Sequence, residues 1–156
     1  MTSVRFIRRE NPLAKMIQSP GGVRVSEALE QASANLDSIR EKTIAEVDSD
    51  LSVIEQLLAQ AVERPATDTL KQAYRCCNTV AGMAGSCGLG GVGQAAFSLC
   101  ELLDRLIHGG GWSHQGVLVH LNAMKLLRTD VGAAAEGPVL AGLRKVTVAA
   151  TQDKKS

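Results

Sequence analysis

Apolar positions recur along most of this chain at spacings of three and four, the pattern of helices that bury one face. The longest run is Leu29, Ala32, Leu36, Ile39, Thr43, Val47, Leu51, Ile54, Leu58 and Ala61. It predicts a helix over 26–63, with Ser26 as its cap and Glu27 and Glu30 well placed in the first turn. Neither Gly nor Pro interrupts it before Pro65, although Asp48-Ser49 offers a place to break. A second stripe, Leu70, Ala73, Cys77, Val80, Ala84 and Cys87, predicts a helix starting at 67–69, where Thr69 and Gln72 have capping-box spacing. Gly88-Leu89-Gly90-Gly91 ends it. Val92, Ala95, Ala96, Leu99, Leu102, Leu103 and Leu106 mark a third helix, which stops at Gly109-Gly110-Gly111. A fourth begins at Ser113, with Trp112 spaced to staple onto Val117, and runs through Leu121, Met124 and Leu127 to about Asp130. After Gly137-Pro138, the segment 139–148 reads as helical despite the β-branched run Val146-Thr147-Val148.

No segment alternates like a strand, and no internal repeat is visible. Short connections favour antiparallel neighbours. The expected fold class is therefore all-α: an up-and-down four-helix bundle with an N-terminal extension and an extra C-terminal helix. The 156 residues fit one domain. They divide into a flexible arm over 1–22, closed by Ser19-Pro20-Gly21-Gly22, a bundle over 23–150, and a disordered tail over 151–156. Phe6, Ile7, Leu13, Met16 and Ile17 leave room for a short docked turn in the arm.

Composition supports the helical reading. Hydrophobic residues make up 45% and aromatics only 3%, so the core is built of Leu, Val, Ile, Ala and Met. A net charge of +1 supplies no field for a nucleic-acid partner. The charge is uneven, however. Arg5, Arg8, Arg9, Lys15 and Arg24 face only Glu10 in the first 24 residues, whereas 26–63 carries nine carboxylates against Arg40 and Lys42. The arm and the helix are either separately solvated, or the arm meets an acidic surface. No run reaches the ~20 apolar residues of a membrane span, and no secretory leader pattern is present, so a cytoplasmic, non-membrane protein is expected. Cys76, Cys77, Cys87 and Cys100 match no zinc spacing and read as small buried apolar groups. No metal or cofactor is expected.

The most informative stretch is Asn78-Thr79-Val80-Ala81-Gly82-Met83-Ala84-Gly85-Ser86-Cys87-Gly88-Leu89. Each glycine inside a helix costs about 1 kcal/mol relative to alanine. Gly82 and Gly85 lie four and seven positions after Asn78, so the three share one face, away from the apolar stripe. They either leave a bare patch for a partner, or allow close packing against a neighbouring helix of the same bundle.

These residues resemble the histidine phosphotransfer (Hpt) domain family. Its members carry a helix with His, a Lys or Arg three residues later, Gly next, then small residues and a closing Gly-Leu. Gly82, Ala84, Gly85, Gly88 and Leu89 match that pattern. Asn78 stands at the histidine position and Ala81 at the basic one. The resemblance implies a bundle whose second helix is presented to a receiver domain or a histidine kinase. Its chemistry needs an imidazole nitrogen that accepts and releases a phosphoryl group. The amide lone pair of Asn78 is delocalised, and Ala81 has no charge to set against phosphate.

Other candidates are weaker. His108 falls at a helix end, His114 at a helix start and His120 within the fourth helix, and all three read as ordinary surface or half-buried residues. His114 and His120 do not share a face, and no pair has metal-ligand spacing. Gly88-Leu89-Gly90-Gly91-Val92-Gly93 fits G-x-G-x-x-G but follows a helix, not a strand, and so reads as an inter-helix turn. No enzyme motif is found.

The expected function is a signalling adaptor of a two-component phosphorelay that binds a receiver or kinase without carrying phosphate. The binding residues expected are Lys71, Tyr74, Arg75, Asn78, Ala81, Gly82, Gly85 and Leu89, with Lys71 and Arg75 complementing an acidic receiver. Two alternatives stay open. One is an active phosphotransferase using a displaced histidine, His120 or His114. The other is a structural bundle that self-associates as a homodimer through the apolar face of 26–63.

Overall fold

The computed structural model describes residues 12–17 and 21–152, and divides the chain into two compact units, 1–37 and 38–156. The boundary between the two units falls within one helix. In the first unit a short helix α1 (Pro12–Ile17) is followed by the start of α2 (Val25–Leu58), whose residues up to Asp37 are all exposed. The readings of a flexible arm and a frayed tail fall largely on 1–11, 18–20 and 153–156, outside the described residues.

The second unit holds the rest of α2, then α3 (Thr67–Met83), a 3-10 turn (Ala84–Cys87), α4 (Gly90–Ile107), α5 (His114–Leu127), α6 (Asp130–Ala134) and α7 (Glu136–Gln152). All elements among the described residues are helical. The core joins Val47, Ile54 and Leu58 of α2 to the stripes of α3, α4 and α5, and adds Leu143 of α7. Every predicted stripe residue of α3 and α4 is buried. The α2 stripe is not uniform. Val47, Ile54 and Leu58 are enclosed, while Leu29, Leu36 and Ile39 are exposed.

Several boundaries differ from expectation. Helix α2 is continuous through Asp48-Ser49 and ends at Leu58, not at 63. It begins at Val25, and the Ala28 N–H donates to the Arg24 carbonyl, so Ser26 already lies inside the helix. Helix α3 is capped at Ala66 without a side-chain bond, so the Thr69–Gln72 capping box does not form. Helix α4 starts at Gly90 rather than after the glycine cluster. Gly91 and Gly93 sit buried in its first turns because neighbours press on them: a Cβ at Gly93 would lie 3.4 Å from the Ala81 carbonyl and the Ala84 methyl, and one at Gly91 would meet the Glu136 side chain at 2.9 Å. Gly88 takes a left-handed backbone, turning at φ 86° to close the 3-10 turn. Helix α7 starts three residues before the expected segment, with Pro138 tolerated in its first turn, and continues to Gln152.

Polar side chains close the helix ends. Ser113 caps α5 as expected, accepting from the Gly116 N–H at 3.1 Å. Arg64 donates to the Leu106 carbonyl at the end of α4, and Arg40 to the Cys87 carbonyl at the end of the 3-10 turn. Trp112 donates its indole N–H to the Val62 carbonyl, binding the α2–α3 connection to the α4–α5 connection. Arg128 forks onto Asp48 at 2.8 and 2.9 Å, tying α5 to α2.

Candidate functional site

Helix α3 presents Lys71, Arg75, Asn78, Gly82 and, through the 3-10 turn, Gly85 along one exposed side. The side is exposed because the opposite stripe, Leu70, Ala73, Cys77 and Val80, is fully buried. Asn78 lies at the middle of this row, and its amide makes no hydrogen bond among the described residues. A Cβ at Gly82 or at Gly85 would meet nothing within 4 Å. Close packing inside the bundle therefore does not account for either glycine. Gly91 and Gly93 of α4, by contrast, are buried with neighbours beside them.

The remaining expected site residues sit differently. Tyr74 and Ala81 are half-buried on the adjacent row, and both pack against the core. Leu89 is half-buried at the cap of α4, where its N–H donates to the Ala84 carbonyl at 2.8 Å, so it belongs to the turn rather than to the exposed row. Beside Ala81 and Gly85 opens a groove of about 470 Å³, walled by α4 and α7. Phe97 of α4 lines it and is 59% exposed. The sequence reading missed Phe97. Its signal was a large aromatic, in a chain nearly without them, at a position off the apolar stripe of α4.

The histidines correct the sequence reading. His120 is not a surface group: it is fully buried. Its Nδ1–H donates to the Gly116 carbonyl at 2.7 Å, which leaves Nε2 as an acceptor facing the Ser98 hydroxyl at 3.0 Å. Ser98 also lies 3.0 Å from the Thr147 hydroxyl, so one polar cluster links α4, α5 and α7. Burial holds the His120 imidazole below the ordinary value of 6.5. His114 is half-buried with its Nδ1 enclosed and unpartnered, and exposed His108 lies against the Asp104 carbonyl of its own helix.

The cysteines behave as small core groups. Cys77, Cys87 and Cys100 are buried and Cys76 is half-buried, all as free thiols. Contact with Cys100, and then burial, push the Cys77 thiol far above its usual range. No cluster among the described residues could hold a metal ion, and no helix among them is long and apolar enough to cross a membrane.

The exposed row of α3 thus runs into the small residues of the 3-10 turn and the left-handed Gly88. The Hpt domain family model matches residues 38–137. The chain belongs to the Hpt domain family. Hpt domains are phosphotransfer modules that interact with receiver domains and kinases, so membership ties this chain to phosphorelay-related signalling. The match begins inside α2 and ends at the start of α7, leaving the open half of α2 and nearly all of α7 outside it. No curated protein and no solved structure matches the chain.

Proposed function

We propose that this Hpt domain is a docking adaptor that binds a receiver domain or a histidine kinase through the exposed row of α3 and does not itself carry phosphate. The observation behind this reading is the state of that row. Asn78, which the resemblance sets at the phosphohistidine position, is exposed, Ala81 stands where the resemblance has a basic residue, and the space over Gly82 and Gly85 is open. A backbone or side chain of a partner can approach where no Cβ stands. Lys71 and Arg75 give the row positive charge suited to an acidic receiver pocket. A displaced histidine fits less well. Phosphoryl transfer needs in-line contact with a receiver aspartate, and His120 offers no surface for it.

Two experiments test the reading. Incubation with a phosphorylated receiver should leave the chain unlabelled, and stable, acid-labile label on any of its histidines would refute the adaptor role. Gly82→Arg should abolish binding while leaving the bundle folded, since Gly82 is exposed and a Cβ there meets nothing within 4 Å. Unchanged binding would place the interface elsewhere.

A further inference from the structure

Helices α3 and α4 pack antiparallel and close together. A Cβ at Gly93 would lie 3.4 Å from both the Ala81 carbonyl oxygen and the Ala84 methyl. That is near the Cβ–Cβ separation of a disulfide, about 3.8 Å. Two turns further along α4 and two turns back along α3, the same register sets Cys100 against Cys77 and Tyr74. The side chains keep that register: the Cys100 Sγ lies 3.9 Å from the Tyr74 carbonyl, and the Cys77 thiol donates to the Cys100 sulfur. A small apolar residue would fill either place, but two free thiols in contact across one interface can also react with each other. They are unequal. Cys77 is fully enclosed, whereas Cys100 keeps 5% of its surface exposed. The bond from Cys77 holds the Cys100 thiol below its ordinary value in spite of burial, so Cys100 is the sulfur that meets an oxidant first.

We propose that Cys77 and Cys100 are a reversible oxidation site, a thiol pair that closes to a disulfide and ties α3 to α4. The oxidant class that fits is a peroxide, hardly larger than water and able to use the narrow access at Cys100. The Cys100 thiolate attacks one peroxide oxygen and the O–O bond breaks. The departing hydroxide takes up a proton and leaves as water, and Cys100 becomes a sulfenic acid. The Cys77 sulfur then attacks the Cys100 sulfur. The S–O bond breaks, the oxygen leaves as a second water with the Cys77 proton, and the S–S bond forms. Two electrons have passed from the two thiols to the peroxide. A small thiol reverses the step by exchange. The bond closes a loop that contains the 3-10 turn Ala84–Cys87 and Gly88, so that turn can no longer part from α3 together with the start of α4. The inference does not rest on the α3 docking reading, because it requires no partner.

The full chain, treated with limiting hydrogen peroxide and then denatured in an alkylating reagent, is weighed by mass spectrometry. The groups taken up should fall from four to two in a monomer, and a thiol reductant should restore four. Four throughout, or a loss that the reductant does not reverse, would overturn the proposal. Cys77→Ala and Cys100→Ala should each keep their three remaining thiols at the same dose. A reducible loss of two in either variant would place the bond elsewhere and overturn it too. The double variant Cys76→Ala, Cys87→Ala retains only the pair and should go from two groups to none. The lock is read by deuterium exchange: backbone amides of 84–91 should exchange about 10-fold more slowly in the oxidised chain. Unchanged exchange there would refute the tie between the helices.

Discussion

Asn78 and His120 are opposites in exposure and in chemistry. Asn78 has the exposure and lacks the imidazole, while His120 has the imidazole and lacks the exposure. Around Asn78 the surface is stripped: no hydrogen bond, no Cβ on Gly82 or Gly85, no charge on Ala81. Around His120 every ring nitrogen is engaged, and three helices meet. A polar residue on the surface is free to serve a partner. A polar residue in the interior serves the fold, because each of its groups must be satisfied there.

Substitution separates the two regions most sharply. His120→Ala should cost about 2–4 kcal/mol by urea denaturation, since it leaves a cavity and removes the imidazole from the buried polar cluster with Ser98 and Thr147. Asn78→Ala should change stability by less than about 0.5 kcal/mol. A comparable loss at Asn78 would break the contrast. Next in size is the effect of pH. The imidazole of His120 is held below 6.5 in the folded chain, so it stays neutral where the unfolded chain's histidine takes up a proton. Its contribution is fully present above pH 6.5 and is lost as pH falls through the window down to the lowered folded value. Within that window the slope is at most about 1.4 kcal/mol per pH unit. His120→Gln should flatten this part of the profile, measured as denaturation midpoints against pH. Ser98→Ala should cost about 1–2 kcal/mol through the unsatisfied Nε2.

The smallest stability effect is the most telling for function. Gly82→Ala should stabilise the protein by about 0.5 kcal/mol in thermal melts, because the helix gains propensity and the methyl meets nothing. A destabilisation would mean that Gly82 is needed by the fold, which the open space around it contradicts. The chemistry can be probed on the same row. The double variant Asn78→His, Ala81→Lys restores both missing groups at exposed or half-exposed positions. It should accept acid-labile label from a phosphorylated receiver while the parent chain does not.

The sequence revealed the helices wherever burial followed a local period. The stripes Leu70 to Cys87 and Val92 to Leu106 were legible because each residue's fate depends on neighbours three or four positions away. The Ser113 cap was legible for the same reason. Misreadings arose where the partner is distant in the chain. Gly91 and Gly93 looked like helix breakers, because the Glu136, Ala81 and Ala84 atoms packed against them come from other elements. His120 looked like a surface residue although Val117, Leu121 and Met124 place it on the buried face. Its partners Ser98 and Thr147 lie 22 and 27 residues away. The upper part of α2 carried the right period, and period alone does not say whether a face is covered. At the candidate site, the row from Lys71 to Gly85 was legible from spacing, whereas the groove beside it needed α4 and α7 to be in place.

Helix α7 lies almost wholly beyond the matched region, yet Leu143 and Thr147 fill the interior that the matched helices enclose, and Arg105 of α4 donates to the Thr147 carbonyl at 2.8 Å. The order of synthesis gives this a consequence. On the ribosome α3, α4 and α5 emerge first, with the Ser98–His120 pair still open to water. The bundle cannot seal until α7 follows, so α7 acts as the lock on the helices that precede it.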